Sequence, residues 1–263
     1  MAVALVTGAG SPTGIGRAVA LRLARDGHDV ACVDIAAGGG GAATGDDLNA
    51  VAAEIRSIGR RAIALTADVA DENRVEEIVE QTTKELGPIE LVANVAGGPL
   101  GSVGPLVSVQ PAEFRRTVDV NLVGTWLVSR ACANRMLADG RGGRICNTSS
   151  QASKVGFEMM GAYSASKAGI NLLTQVMAKE LGPAGISVNA VCPGSVDTDA
   201  TRRFAEQFLE NPDQAEEYVK SQIPLRRLQT ADEIASAIAW LLSDDASGVT
   251  GESLNVTGGE TMV

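Results

Sequence analysis

Ser150, Tyr163 and Lys167 carry side chains that together could move a proton. Tyr163 and Lys167 are four residues apart, so on a helix both side chains lie on one face. A phenol ionises near about 10 and is a poor base at neutral pH without help. A nearby ammonium favours the phenolate and lowers that value. Ser150 follows an apolar run that reads as a strand, so its hydroxyl can sit beside the tyrosine and hold a substrate oxygen. A Tyr-x-x-x-Lys taken alone says little, because chance supplies many.

The second group of interest is the run Thr7-Gly8-Ala9-Gly10-Ser11-Pro12-Thr13-Gly14-Ile15-Gly16. Glycines at a strand-to-helix turn let backbone N–H groups approach a pyrophosphate, which also feels the helix N-terminal dipole. Asp34 closes the next apolar run, and a carboxylate there can accept a hydrogen bond from an adenine-ribose hydroxyl.

These residues need a frame. Short apolar runs alternate with amphipathic helical stretches along nearly the whole chain. The pattern predicts strands over Val3–Val6, Val30–Ile35, Ala62–Thr66, Ile89–Asn94, Arg144–Thr148 and Ile186–Val191. Helices are expected over Gly14–Arg25, Leu48–Ile58, Glu72–Glu85, Pro111–Met136 and Ala162–Leu181. Strands joined by crossover helices pair in parallel with right-handed connections, which makes an α/β, doubly wound sheet with helices on both faces. One such domain over 1–263 is expected to carry everything. Two segments break the rhythm. The Gly-rich stretch from Ala36 to Gly45, with its Gly38–Gly41 run, reads as a loop, either a flap near an adenosine or plain surface. Thr198 to Gln222 has helical pattern where a sheet connection should be short, and suits a substrate lid.

Composition narrows the partners. The 263 residues carry 22 Lys+Arg against 32 Asp+Glu, a net charge of −10, which disfavours nucleic acid or an anionic membrane. No apolar stretch approaches the ~20 residues of a membrane span, and the start, MAVALVTGAG, lacks a charged leader region. A cytoplasmic protein is expected. Cys32, Cys132, Cys146 and Cys192 are widely spaced and read as buried reduced thiols. His28 is the only histidine, so a histidine-rich metal site or a Ser-His-Asp triad has little support; it reads as a surface residue. Arg226 and Arg227 read as a solvated pair, and Phe157, Met159 and Met160 as lining for an apolar substrate pocket.

Together the motifs resemble the short-chain dehydrogenase/reductase family over essentially the whole chain. That family has Thr-Gly-x-x-x-Gly-x-Gly near its start, matched at its ends by Thr7, Gly8, Gly14 and Gly16. Its Asn-Asn-Ala-Gly appears as Asn94-Val95-Ala96-Gly97, and its helix asparagine as Asn121. Its serine lies thirteen residues before its tyrosine, as Ser150 does before Tyr163. Pro193-Gly194 with Thr198, and Gly251 to Val256 with Gly258-Gly259, match its last two strands and complete a seven-stranded Rossmann sheet. Two departures stand out. Five residues separate Gly8 from Gly14 where the family has three, and Val95 replaces the second asparagine.

The resemblance implies an oxidoreductase that interconverts a secondary alcohol and a ketone. Tyr163 would be the general acid/base, with Lys167 lowering its pKa and holding the nicotinamide ribose. Ser150 would steady the substrate oxygen, and Asn121 would support a water relay to Lys167. The cofactor would meet Gly8, Ser11, Thr13, Gly14, Ile15 and Gly16 at the turn, Asp34 at the ribose, and Asp68 and Val69 at the adenine. Asn94, Ala96, Gly97, Pro193, Gly194, Val196 and Thr198 would complete its site. No metal is expected. NAD is expected over NADP, because Asp34 is followed by Ile35, Ala36 and Ala37 with no adjacent base, and Arg17 should point elsewhere. A homotetramer is expected, from apolar residues beyond one core stripe on Pro111–Met136 and Ala162–Leu181: Trp126, Val128, Leu172, Leu173, Val176 and Met177. The alternatives are an NADPH-dependent 3-oxoacyl-thioester reductase and a nucleotide-binding regulator that does not react.

Overall fold

The computed structural model describes residues 1–35, 45–199, 201–202 and 212–263. Runs rich in Val, Ile, Leu and Ala, mostly buried except for the last, form a sheet of seven strands: β1 (Val3–Thr7), β2 (Asp29–Asp34), β3 (Ala62–Thr66), β4 (Ile89–Asn94), β5 (Gly143–Thr148), β6 (Ile186–Pro193) and β7 (Ser253–Val256). Their order is β3-β2-β1-β4-β5-β6-β7, and every pairing is parallel. Around them lie α1 (Ile15–Arg25), α2 (Gly45–Ser57), α3 (Glu72–Leu86), α4 (Pro111–Val118), α5 (Thr125–Asp139), α6 (Gly161–Leu181), α7 (Pro212–Gln222) and α8 (Ala231–Leu241). None of these helices is long and apolar enough to cross a membrane.

The alternation of side chains along β1 feeds two cores. Ala4 and Val6 pack with α1, α2 and α8, whereas Val3 and Leu5 pack with α3 and α5 on the opposite face. Strand order reverses between β1 and β4, and in open parallel sheets the crevice at such a reversal, beyond the carboxyl ends, is where ligands bind.

One expected element differs. The single helix over Pro111–Met136 is two α-helices joined by a π-helical turn, Asp119–Gly124. Its hydropathy reported the buried face, but the widened turn answers to tertiary contacts. Asn121 grips a neighbouring loop there, and a Cβ on Gly124 would lie 2.7 Å from Val69 Cγ2. Wide turns of this kind favour functional sites. The Gly38–Gly41 run, and much of the stretch expected to form a lid, lie outside the described residues; of that stretch α7 is described, as a helix. The four cysteines are buried and free. His28 is half-buried rather than a plain surface residue: its Nδ1 accepts the Ala2 N–H at 3.2 Å, and burial lowers its pKa. Arg227 pairs with Glu233 at 2.6 Å.

Candidate active site

Tyr163 lies in the first turn of α6 and Lys167 one turn further in. The Lys167 ammonium sits 5.6 Å from the Tyr163 ring centroid and donates to the Thr148 carbonyl at 2.7 Å. Burial of Lys167 lowers its pKa to about 8. Burial raises that of Tyr163, opposed by a hydrogen bond with the Ser150 side chain. Ser150 has extended backbone at the carboxyl end of β5, and its Oγ also accepts the Ala152 N–H at 3.1 Å. The structure therefore brings the three sequence candidates together around one phenol.

Asn121 faces this group from the π-helical turn. Its Oδ1 accepts the Gly98 N–H and its Nδ2 donates to the Gly98 carbonyl, both at 2.9 Å. Its own carbonyl accepts the Thr125 hydroxyl at 2.6 Å. Gly97 borders Asn121 and Lys167 at φ 152°; a Cβ there would stand 2.2 Å from Asn121 Oδ1 and 3.4 Å from Lys167 Nζ. Only a residue without a side chain lets the backbone at position 97 pass this close to Asn121 and Lys167.

The glycine turn crosses the end of β1. A Cβ on Gly16 would lie 2.1 Å from the Gly8 carbonyl oxygen, so only glycine lets α1 start this close to the strand. The two residues beyond the family length are absorbed by a tight turn in which Gly14 N–H donates to the Ser11 carbonyl at 3.0 Å. Thr13 Oγ1 accepts the Asp199 N–H at 2.9 Å, which ties this turn to the segment after β6. Ile15 packs on the core around α1. Asp34 accepts N–H groups from Gly10 and Ile35, each at 2.7 Å, and burial raises its pKa against those bonds. Arg17 is paired with Glu54 of α2.

The other candidates divide between crevice and support. Asp68 Oδ1 accepts the Ala70 N–H at 3.0 Å and its Oδ2 meets Arg116 at 2.9 Å. Val69 is buried against Gly124. Asn94 is buried and donates to Ser129 Oγ at 2.8 Å and Asn147 Oδ1 at 2.9 Å, binding β4, β5 and α5 together. Its Oδ1 and the Thr148 hydroxyl have no partner despite burial. Beyond β6, the loop of Pro193, Gly194, Val196 and Thr198 is held where Val196 pairs in parallel with Gln229. Thr198 Oγ1 lies 3.1 Å from Thr201 Oγ1. Sequence reasoning overlooked the Thr7 hydroxyl as a support. It accepts the Val95 and Ala96 N–H groups at 3.0 and 3.1 Å, clamping β1 to β4 across the crevice. A threonine closing the strand just before Gly8 was the available signal. Phe157 and Met159 stand exposed on the loop before α6.

The chain is similar to known proteins over nearly its whole length. A family model described as enoyl-(acyl carrier protein) reductase matches residues 8–261. A short-chain dehydrogenase/reductase of Armillaria gallica is 39% identical over 260 residues, covering 98% of this chain and 95% of that protein. Among solved structures, NAD+-bound xylitol dehydrogenase superposes with a TM-score of 0.89 at 32% identity, covering 98% of each chain. An actinorhodin polyketide ketoreductase variant with NADPH also reaches 0.89 at 32% identity, covering 98% of this chain and 97% of that one.

Proposed function

The chain belongs to the short-chain dehydrogenase/reductase family, oxidoreductases acting on CH–OH groups, and we propose that it interconverts a secondary alcohol and a ketone with NAD(H) as its preferred cofactor. The observation that carries this reading is Tyr163 set between the Ser150 hydroxyl and the Lys167 ammonium. The crevice residues fit a dinucleotide. Gly8, Gly14 and Gly16 offer close backbone approach to a pyrophosphate, and Asp34 offers a ribose acceptor. When bound, the nicotinamide supplies the carbon that gives or takes the hydride.

In the oxidising direction, Ser150 donates a hydrogen bond to the substrate oxygen and aims it at Tyr163. The Tyr163 phenolate removes the hydroxyl proton; in reduction the neutral phenol returns it. Lys167, held by the Thr148 carbonyl, stabilises the phenolate through its positive charge. Asn121 fixes the Gly97–Gly98 strap beside the ammonium. The neighbours bind different cofactors, so the preference for NAD rests on this chain's own Asp34 and on the pairing of Arg17 with Glu54. Assembly as a homotetramer belongs to the same reading, supported by Trp126, Leu172 and Val176, which are 40%, 65% and 50% exposed. Val128 and Met177, by contrast, belong to the core. A panel of secondary alcohols with NAD+, followed by absorbance of the reduced cofactor, tests the reading. NADH binding with no alcohol oxidised and no ketone reduced would favour a regulator that does not react.

A further inference from the structure

Two consecutive residues after β7 reach two different loops of the site. Glu260 accepts the backbone N–H and the hydroxyl of Ser195, both at 3.0 Å. Thr261 donates its hydroxyl to Gln151 Oε1 at 3.0 Å in a buried contact. Ser195 lies in the loop after β6, between Gly194 and Val196, and Gln151 directly follows Ser150.

The segment that carries them is itself tied down. The Glu260 N–H donates to the Thr257 carbonyl at 3.1 Å. The Thr257 hydroxyl donates to the Thr261 carbonyl at 3.0 Å and accepts the Thr261 N–H at 3.3 Å. It also lies against the β6 loop without slack: a Cβ on Gly194 would stand 2.8 Å from Thr257 Cα and 2.9 Å from Glu260 Oε2. On its other side, the β6 loop is held by backbone bonds between Gln229 and its neighbours Ser195 and Asp197, at 3.0 and 2.8 Å. A carboxylate that takes both polar hydrogens of one residue fixes its backbone and side chain together, and such charge-assisted bonds are the stronger kind.

We propose that Glu260 and Thr261 are positioning residues for the reaction, one setting the loop of Val196 and the other the loop of Ser150. The segment 257–261 is then a brace that holds the cofactor side and the substrate side of the site in register. The inference rests on the roles given above to Ser150 and Val196.

The two halves of the brace should fail differently. Glu260→Ala releases the β6 loop and is expected to weaken NADH binding about 10-fold, while kcat at saturating cofactor stays within about 3-fold. Thr261→Val releases Gln151 and is expected to lower kcat about 5-fold with NADH affinity unchanged. Thr261→Ser keeps the hydroxyl and should restore native turnover, and Glu260→Gln, which keeps one acceptor, should fall between native and Ala. If Glu260→Ala does not fold, Glu260→Gln and Ser195→Ala carry the same test in weaker form. Without any ligand, hydrogen exchange should quicken within 193–199 in the Glu260 variant and within 150–154 in the Thr261 variant. Equal losses of affinity and turnover in both variants, tracking melting temperature, would reduce the segment to a general stabiliser and overturn the proposal. Unchanged kinetics and exchange in both would overturn it too. If the native protein binds no NADH, the functional reading fails on its own, and the exchange pattern still decides whether the brace holds the loops.

Discussion

Asp34 Oδ2 accepts the Gly10 N–H at 2.7 Å, so the acid that ends β2 is fastened to the glycine turn that ends β1. One carboxylate thus shapes the glycine turn and is the group proposed to meet the adenine ribose. A 2′-phosphate there would bring negative charge against it. Unit charges about 4 Å apart repel by about 4 kcal/mol at an effective dielectric near 20, before screening and relaxation.

The native enzyme is therefore expected to favour NAD(H) over NADP(H) by at least ~10²-fold in kcat/KM. Asp34→Ser should narrow that gap, and because it also frees the Gly10 N–H, the NAD side should suffer most. Steady-state kinetics with both cofactors checks this. Equal efficiency in the native enzyme would place Asp34 away from the ribose, and a preference for NADPH would bring forward a 3-oxoacyl-thioester reductase.

Tyr163→Phe keeps the ring and deletes the proton-transfer group. Turnover should fall at least ~10²-fold, while NADH affinity, read by fluorescence, stays near native. Because burial holds the Tyr163 pKa above its ordinary value, native alcohol oxidation should gain in kcat/KM as pH rises through neutrality. Ketone reduction, which uses the neutral phenol, should stay level until pH approaches that raised value. Near-native turnover by the Phe variant would remove Tyr163 from the chemistry.

Lys167 gives a stability test with a definite sign. Its folded pKa is about 8, against about 10.4 for an ordinary lysine. Below about 8 both folded and unfolded chains hold the proton, and the cost of burying the charge is constant. Between those values the unfolded chain holds a proton that the folded chain has shed, so this group adds stability as pH rises. Lys167→Met removes the titration. The stability of the Met variant relative to native should be greatest near about pH 7 and decline toward about pH 10. Urea midpoints of both proteins, without cofactor, measure it. A difference that is flat or grows with pH would mean that the ammonium is not desolvated.

Leu172 and Val176 are four apart on α6 and are 65% and 50% exposed. If this face pairs in the proposed tetramer, light scattering should give about four times 27.0 kDa, and Leu172→Glu with Val176→Glu should give a smaller particle. A native particle of 27.0 kDa would sink the assembly.

The sheet and the candidate residues could be read from the sequence because their signals are local. Tyr163 and Lys167 share a helix face by spacing, and the glycine turn and Asp34 each mark the end of an apolar run. What escaped depends on partners distant in sequence. A threonine at the end of its run marks Thr7 as a candidate support, but nothing near it names Val95 and Ala96 as the groups its hydroxyl caps. Nor does anything near Arg17 name Glu54. Periodicity counted Val128 and Met177 as surplus apolar surface, whereas both lie in the core formed with α3 and the sheet. Hydropathy also passed through Asp119–Gly124 without a break, because a wider turn keeps an apolar face apolar.

That turn makes chain length part of the site. A π-helical bond spans one residue more than an α-helical one. Deleting one residue between 119 and 124 would let the turn close to ordinary α-helical winding while α5 keeps its place, so the loss falls on the widened turn itself. Asn121 could then keep its grip on Gly98, or Gly124 its seat on Val69, but not both. Many single replacements here leave the path of the backbone intact, whereas a one-residue gap removes the widened turn that presents Asn121. Along this stretch the protein should accept changes of letter far more readily than changes of length.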